Sequence, residues 1–338
     1  MITMELRTPG PVEPDRLQLR TRVPPEPGPG EVLLRVRTCG VCHTDLHIVQ
    51  GDLPLPRLPI VPGHEIVGDV VAHGDGAARP DLPAVGQRVG VAWLGGACGH
   101  CAFCRGGREN LCPDIRFTGY HRDGGYAEYA AVRADYCYPL PERYDDVEAA
   151  PLLCAGIIGW RAIRRADVVP GDHVGLFGFG ASAHLTLQVL RSWGCAVAVV
   201  TRSTQHQELA RRLGADWAGG YGEAPPWPLA RALVFTPAGE TVTAALERLG
   251  PGGVLAIASV HLSPIPALDH DRLLYGEREI RSVTASTRQD ALDFLAIAGR
   301  LPLRMETETF PLTEAATALF RLKQGSLNKA VAVLQVQR

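Results

Sequence analysis

The stretch HVGLFGFGASAHLTLQVLRSWG, residues 173–194, decides the fold of the second half of the chain. Its first five residues, HVGLF, are largely apolar, as is typical of a buried strand, and a helical pattern follows the glycine-rich turn. Gly178, Gly180 and Ala183 form G-x-G-x-x-A, which between a strand and a helix indicates a dinucleotide-binding site. Gly178 permits the tight turn, and Gly180 admits a pyrophosphate near the helix N-terminus. Ala183 replaces the third glycine, with slightly looser packing of the helix on the strand.

From about Gly171 onward, apolar strands alternate with helical patterns. This alternation predicts an α/β fold with a doubly wound parallel sheet. The predicted elements are strand 173–177, helix 181–193, strand 196–200, helix 205–213, strand 232–235, helix 242–249 and strand 254–258. A helix at 289–298, a turn at Gly299 and a terminal strand at 330–336 complete the pattern.

The first 150 residues or so have a different composition and pattern: they are rich in glycine, proline and short strand-like segments. Residues 32–40 and 66–74 are predicted strands because turn residues bound both. Residues 24–29 contain too many prolines for a helix or a central strand. Together with the length of 338 residues, this change in composition and predicted secondary structure along the chain predicts two domains.

Composition excludes several classes of protein. The formal charge of −2 gives no indication of a nucleic-acid or anionic-membrane partner. The apolar runs are short and interrupted, so no transmembrane helix is expected, and the N-terminus lacks a secretory apolar region. Nine cysteines without an export signal favour a cytoplasmic protein that uses thiolates for metal binding.

Four of these cysteines lie in one loop, CGHCAFCRGGRENLC. Cys98, Cys101, Cys104 and Cys112 have the spacing C-x2-C-x2-C-x7-C, which is typical of structural zinc. Four thiolates complete a tetrahedral coordination sphere and leave no position for a substrate. A disulfide pair or an iron–sulfur cluster is the alternative for this loop.

Three further candidate ligands are far apart in the chain. Cys42 lies in CGVCHTDLH, His64 in PGHE and Cys154 in PLLCAGIIGW. Taken singly, such a histidine or cysteine is more often structural. Together they supply two thiolates and one imidazole, and this set, with a fourth position left open, is a ligand set of catalytic zinc.

The order and spacing of these motifs resemble those of zinc-dependent medium-chain alcohol dehydrogenases nearly end to end. The motifs that carry the resemblance are CGVCHTD, GHE, the four-cysteine loop, DGGYAEY, LLCAG and the glycine-rich turn. The resemblance implies a GroES-like catalytic domain, interrupted by a Rossmann domain, with the active site in the cleft between them. The implied limits are residues 1–155 and 288–338 for the GroES-like domain, with a structural zinc lobe at 95–113, and residues 156–287 for the Rossmann domain.

The same resemblance implies two Zn²⁺ ions per subunit, one catalytic and one structural. Cys42, His64 and Cys154 would hold the catalytic ion, and Glu65 would lie behind it, close enough to approach. Asp45 would orient His64, which fits the general need for such a carboxylate. For both acids, the alternative is an ordinary surface charge.

The resemblance also implies a proton path and a substrate pocket. Thr44 would contact the substrate oxygen, and His47 would be the outer base, linked through the cofactor ribose, unless it is only an exposed imidazole. His43 would lie near the pyrophosphate or be neutral and structural. Trp93 would narrow the pocket, whereas Leu53 stands where relatives with small pockets often have a second tryptophan. The alternative for Trp93 is an ordinary core aromatic.

The cofactor preference depends on the end of the second predicted strand, VVTRS. NAD-selective enzymes usually have an acidic residue at the position of Thr201, and none is present. Arg202 could accept a 2′-phosphate, which favours NADP(H); as a solvated loop residue it would leave NAD(H) or both cofactors. Lys329 resembles a family cation near the pyrophosphate, although a surface lysine is the alternative.

The implied activity is reversible hydride transfer between a primary or secondary alcohol and NAD(P), which gives an aldehyde or ketone. An NADPH-preferring aldehyde reductase, an aryl-alcohol dehydrogenase and a non-catalytic zinc protein or redox sensor are the alternatives. Polyol-oxidising relatives often have glutamate where Cys154 stands, so the cysteine argues against them. The family forms oligomers, and we expect a homotetramer or a homodimer.

Overall fold

A computed structural model describes residues 1–336, and the chain folds into two units. The first unit contains Met1–Cys154, Ser286–Arg300 and the described residues from Met305 onward. The second contains Ala155–Ala285 and Leu301–Arg304. Among the described residues, no helix combines the length and the apolar character that crossing a membrane requires.

Both units contain short strands and helices, which alternate regularly only in parts of the second unit. The strands are β1 (Ile2–Leu6), β2 (Leu17–Thr21), β3 (Glu31–Val41), β4 (Glu65–His73), β5 (Arg88–Val91), β6 (Leu94–Gly96), β7 (Arg116–Phe117), β8 (Tyr129–Arg133), β9 (Cys137–Pro139), β10 (His173–Phe177), β11 (Ala196–Val200), β12 (Trp217–Gly219), β13 (Leu229–Val234), β14 (Leu249–Ile257), β15 (Glu279–Ser282), β16 (Thr307–Pro311) and β17 (Val331–Gln335). The helices are α1 (His43–Gln50), α2 (Ala102–Arg105), α3 (Asp146–Ala149), α4 (Ala155–Arg165), α5 (Ala181–Ser192), α6 (Thr204–Arg212), α7 (Glu240–Leu246), α8 (His270–Leu273), α9 (Arg288–Arg300) and α10 (Ala315–Gln324).

The first unit is built on a seven-stranded sheet with the order β16-β17-β3-β4-β5-β9, in which β8 also pairs with β3. Only β16 and β17 are parallel in this sheet. Along β3, Val32, Leu34 and Val36 are buried while the residues between them are more exposed, the period-two pattern of a half-buried strand. The predicted strands 32–40 and 66–74 are confirmed as β3 and β4.

The second unit contains six parallel strands in the order β12-β11-β10-β13-β14-β15. Numbered within the unit, this order is 3-2-1-4-5-6, that of a doubly wound dinucleotide-binding sheet. The predicted fold class is therefore confirmed. The order reverses between β10 and β13, so the carboxyl ends of these strands are where such sheets bind ligands.

Two local predictions are wrong. Leu249 does not end a helix, because α7 stops at Leu246 and Leu249 pairs with Leu229 at the start of β14. The glycines and the proline that follow Leu249 cannot extend a helix but are accommodated in an irregular strand. Gly299 is not a turn residue, because α9 continues to Arg300. A glycine in the last helical turn interrupts few hydrogen bonds there.

Candidate metal centre and cofactor site

The first candidate site begins where β3 leads into α1. Cys42 is the N-cap of α1, and its Sγ accepts a hydrogen bond from the backbone N–H of Thr44 at 3.2 Å. The Asp45 carboxylate accepts the N–H of Cys42 at 3.0 Å, which completes a capping box. The helix N-terminus favours a negatively charged sulfur at this position.

His64 is positioned by the turn that precedes β4. Gly63 has φ of +95°, and a Cβ there would lie 2.4 Å from the ring of Tyr126, so only glycine fits. Asp45 Oδ1 accepts hydrogen bonds from Gly63 N and from His64 Nδ1, both at 3.1 Å. With Nδ1 bonded in this way, His64 Nε2 presents its lone pair 3.3 Å from Cys42 Sγ.

Cys154 joins these residues at the end of a 3₁₀ helix, Ala150–Leu153. The candidate ligand atoms of Cys42, His64, Glu65 and Cys154 all lie within 4.8 Å of one another. The 3.3 Å between Cys42 Sγ and His64 Nε2 is close to the edge of about 3.6 Å expected for tetrahedral zinc. Oε2 of Glu65 is buried and has no hydrogen-bond partner among the described residues. The donor set therefore fits a divalent cation.

The electrostatics of this cluster also suit a cation. Burial raises the pKa of the Glu65 carboxyl well above its usual range, and the charge of Cys42 adds to the effect. Burial likewise raises the pKa of Asp45, although His64 opposes it. The hydrogen bond from the Cys154 thiol lowers the pKa of Cys42 well below its usual value, and the same bond raises that of Cys154. A raised pKa favours the protonated, neutral form of an acid, so a cation bound between these groups would be needed to stabilise their negatively charged forms.

The four-cysteine loop forms the second candidate metal site. The sulfur atoms of Cys98, Cys101, Cys104 and Cys112 all lie within 4.8 Å of one another. The separations from Cys104 to Cys98 and to Cys101 are 3.8 and 3.5 Å, close to the edge of about 3.8 Å in a tetrahedral zinc–thiolate site. Backbone N–H groups donate to three of the sulfurs at 3.4–3.5 Å. All nine cysteines are free, so the disulfide alternative is wrong.

The remaining residues of α1 are placed as follows. Thr44 is buried beside Cys42, and His43 is exposed. His47, in the last turn, donates from Nδ1 to the carboxylate of Asp52 at 2.8 Å, and 13% of its side chain is exposed. The orienting role of Asp52 was not anticipated from the sequence. Any proton exchange through His47 would therefore use Nε2.

Trp93 and Leu53 both pack against the core of the first unit. The Trp93 ring lies edge-to-face with that of His64, with 5.0 Å between centroids. Phe117 and Tyr120 also contact Trp93, and sequence reasoning missed both. β6 begins directly after Trp93 and pairs with β7, which ends at Phe117, so the pairing brings this segment next to Trp93. With two residues, β7 is too short to leave a periodic signal in the sequence.

The structure brings Gly178, Thr201 and Arg202 together around one cavity of about 330 Å³ in the second unit. Four lining residues were not identified from the sequence: Ser203, His206, Tyr221 and Thr236. Ser203 could have been found, because it is a favoured N-cap residue at the start of α6 and accepts the N–H of His206.

Glycine is required at one of the two turn positions. Gly178 has φ of +86°, and a Cβ there would lie 2.5 Å from Thr236 Cγ2. A Cβ at Gly180, the N-cap of α5, would meet no atom, so this backbone is open to a ligand. Ala183 is buried in α5. Lys329 belongs to the first unit, where its ammonium lies 3.0 Å from the carboxylate of Glu306, and it is not among the cavity residues.

Comparison with known proteins places this geometry in a family. Residues 28–142 match the model of the alcohol dehydrogenase GroES-like domain. The chain is 46% identical over 336 residues to a probable alcohol dehydrogenase, AdhA, of Mycobacterium tuberculosis, covering 99% of this chain and 97% of that relative.

Two solved structures extend the comparison. A cobalt- and zinc-bound thermostable alcohol dehydrogenase from Pyrobaculum aerophilum has 28% identity and a TM-score of 0.89, covering 99% of each chain. An acetophenone reductase from Geotrichum candidum in complex with NAD has 26% identity and a TM-score of 0.88, covering 99% of this chain and 97% of that one. The resemblance inferred from the sequence is confirmed: the chain belongs to the zinc-dependent alcohol dehydrogenase family.

Proposed function

We propose that the protein is a zinc-dependent alcohol dehydrogenase that transfers hydride reversibly between a primary or secondary alcohol and NAD(P), giving an aldehyde or ketone. The observation that carries the proposal is the convergence of Cys42, His64 and Cys154, three residues from distant segments, within 4.8 Å. Two thiolates and one imidazole leave a coordination position for an oxygen of the substrate. The names of the relatives support the same activity.

We assign two Zn²⁺ ions to each chain. Cys42, His64 and Cys154 would hold the catalytic ion, with Glu65 able to approach it, and the four-cysteine loop would hold the structural ion. When bound, zinc supplies a Lewis acid that makes an alcohol hydroxyl more acidic, and the nicotinamide supplies the hydride acceptor. Asp45 keeps the proton of His64 on Nδ1, so that Nε2 can be a ligand.

The proton of the alcohol leaves through residues of α1. The buried hydroxyl of Thr44 lies next to Cys42 in the chain, where it can hydrogen-bond the substrate oxygen. His47 is partly exposed, and Asp52 fixes its ring by bonding Nδ1. An imidazole in this position can pass a proton from the site to bulk water through Nε2.

For the cofactor we favour NADP(H). Among the described residues that line the second-unit cavity, none is acidic, and Arg202 supplies a positive charge suited to a 2′-phosphate. Gly178 and Gly180 would receive the pyrophosphate, for which His43 and Lys329 are further candidate contacts. The preference for NADPH would make aldehyde reduction the physiological direction; NAD(H) is the second candidate.

The domain limits, the oligomeric state and the cellular location are also part of the proposal. We retain domain limits of 1–155 with 288–338, and 156–287, because a similar division separates the two units. The edge strand β15 offers backbone groups to a second copy, which supports a homotetramer or homodimer. Nine free cysteines fit a reducing cytoplasm.

Absorbance at 340 nm tests the activity directly. We expect NADPH or NADH formation with ethanol, 1-butanol or benzyl alcohol. In Cys154→Ser, one of two zinc ions and the activity should be lost, whereas the control Cys195→Ser should retain both. No absorbance change with any alcohol or aldehyde would refute the enzyme assignment and favour a non-catalytic zinc protein or redox sensor. Equal loss of both metals in Cys154→Ser would contradict the separation of the two sites.

A further inference from the structure

Three aromatic residues, Trp93, Phe117 and Tyr120, form what we call the aromatic wall beside His64. Trp93 meets the His64 ring edge-to-face, with centroids 5.0 Å apart. It also stacks on Phe117, with centroids 4.6 Å apart and planes inclined by only 12°. The Tyr120 ring is tilted against it at 5.9 Å. Trp93 is therefore oriented by contacts with several rings.

The backbone holds Phe117 against Trp93. Leu94 in β6 pairs with Phe117 in β7, and the N–H of Thr118 donates to the Trp93 carbonyl at 3.0 Å. The N–H of Phe117 in turn donates to Nδ1 of His121 at 3.0 Å. Because hydrogen bonds fix the chain on both sides of the ring, Phe117 is a rigid support for the face of the indole.

Tyr120 connects the aromatic wall to the segment that follows α1. Its hydroxyl donates a hydrogen bond to the carbonyl of Pro54, which lies between Leu53 and Leu55. Both leucines and Tyr120 pack against the core of the first unit. This hydrogen bond restrains the backbone next to Leu53, a residue that the family resemblance places in the substrate pocket.

We propose that Phe117 and Tyr120 are positioning residues that set the size of substrate the enzyme accepts, Phe117 by orienting Trp93 and Tyr120 by fixing Leu53. The proposal rests on the proposed alcohol dehydrogenase function. Trp93, beside His64, and Leu53 carry no charge, which suits an alcohol with an apolar tail, aryl or alkyl. Weakening the contact of Phe117 with Trp93, or the hydrogen bond of Tyr120 near Leu53, should widen the substrate pocket. The kcat/KM for larger alcohols should then rise relative to that for ethanol.

The expected size of the effect follows from the contacts that are lost. A stacked aromatic pair contributes a factor of about 2 to 13 in an equilibrium beyond its buried area. Phe117→Leu can therefore shift the population of the narrow Trp93 orientation by about that factor and no more. Tyr120→Phe keeps the ring and removes one hydrogen bond, whose net contribution corresponds to a similar factor.

Steady-state kinetics with benzyl alcohol and ethanol test the proposal. Phe117→Leu and Tyr120→Phe should each raise the benzyl-to-ethanol ratio of kcat/KM by about 2- to 13-fold, mainly through KM. The zinc content should stay at the wild-type level. Phe320→Leu and Tyr275→Phe remove a ring and a hydroxyl at exposed positions, and these matched controls should leave the ratio unchanged.

Double variants separate positioning from general damage. If Phe117 acts through Trp93, Phe117→Leu should have no further effect on the ratio in a Trp93→Ala background. Tyr120→Phe should likewise be silent in a Leu53→Ala background.

An unchanged ratio in active single variants, or additive effects in the double variants, would overturn the proposal while leaving the alcohol dehydrogenase function intact. A wild-type protein that is inert toward every alcohol and aldehyde would overturn the function and the proposal together. If Phe117→Leu does not fold, the nearly isosteric Tyr120→Phe still decides the outcome.

Discussion

Replacing Asp45 by asparagine tests the hydrogen bonds that hold the proposed ligands of the catalytic metal in place. Asp45 is fully buried, and its carboxylate accepts three N–H donors. Oδ2 accepts from Cys42 N at 3.0 Å, and Oδ1 accepts from Gly63 N and His64 Nδ1 at 3.1 Å. Asparagine keeps the volume of the side chain but turns one of the two acceptors into a donor.

Neither orientation of the amide can satisfy all three donors. With its NH₂ group at the Oδ2 position, the amide faces the N–H of Cys42; at the Oδ1 position, it faces the N–H groups of Gly63 and His64. A buried donor left without a partner costs about 1–3 kcal/mol of stability. Loss of a carboxylate that orients a metal-bound histidine typically lowers metal affinity about 10- to 100-fold, which is about 1.4–2.7 kcal/mol.

Competition with a chromogenic chelator measures the zinc affinity of each site. We expect the affinity of the catalytic ion to fall 10- to 100-fold, with the four-cysteine site unchanged as an internal reference. Asp69→Asn is the matched control. Asp69 is also a buried carboxylate, but it accepts from Arg35 and Arg37, so its loss should reduce stability without changing either zinc affinity.

Two outcomes would refute this reasoning. If Asp45→Asn binds the catalytic zinc as tightly as the wild type, the carboxylate does not orient His64 for the metal. If both zinc sites weaken equally, the effect is a general loss of structure. Either outcome would also remove the argument that the tautomer of His64 is set by Asp45.

Three further changes test the cofactor cavity and the stability of the first unit. Thr201→Asp should lower the NADP-to-NAD ratio of kcat/KM by about tenfold or more, because the new charge repels a 2′-phosphate. An unchanged ratio would show that the residue at position 201 does not contribute to recognition of the 2′-phosphate. Gly178→Ala should weaken cofactor binding in a fluorescence titration, because a side chain at positive φ costs about 1–2 kcal/mol and its Cβ would contact Thr236; binding equal to that of the wild type would contradict the required turn. Burial alone would raise the pKa of Glu5, but the hydrogen bond and charge of Arg22, at 2.5 Å, outweigh it and hold that pKa below its usual value. The stability from this pair is therefore present above the unfolded-state pKa of about 4.3 and is lost as the pH falls through the lower folded-state pKa. Arg22→Gln should lower the free energy of unfolding by about 1–3 kcal/mol at pH 7. If the difference in thermal midpoint between the wild type and this variant does not decrease at acid pH, the Glu5–Arg22 pair is not its cause.

The sequence predicts structure correctly in segments where a clear local pattern also marks a candidate functional site. The strand His173–Phe177 has the predicted bounds, because a largely apolar run ends at a turn whose glycine is required by its backbone angle. The four cysteines of the lobe could be predicted as one group from their spacing. Cys42, His64 and Cys154 could be predicted as a second group only from their combined residue types and the family resemblance, and the structure brings the members of each group close together. Cys42 and His64 converge because β3 and β4 pair, which the two strand predictions did not include.

The residues that were missed depend on packing between short or distant segments. Phe117 reaches Trp93 only through two strands of three and two residues. Tyr221 and His206 line the cavity of the second unit from the loop after β12 and from α6, and no local sequence pattern connects them. Leu249 continues a helical sequence pattern, but in the structure it pairs with Leu229 and is part of strand β14. Tertiary contacts of this kind override local preference.

The two metal-ligand sets differ in how much of the chain must exist before each can form. The cysteines of the lobe lie within one short segment, whereas Cys42 and Cys154 are about eight times farther apart in sequence than Cys98 and Cys112. Closing the longer loop in an unfolded chain costs about 1.8 kcal/mol more, at about 0.6 kcal/mol per doubling. On the proposed assignment of two zinc ions, the lobe could therefore bind its ion early during synthesis on the ribosome, whereas the catalytic ion could bind only after Cys154 has been synthesised and packed beside Cys42 and His64.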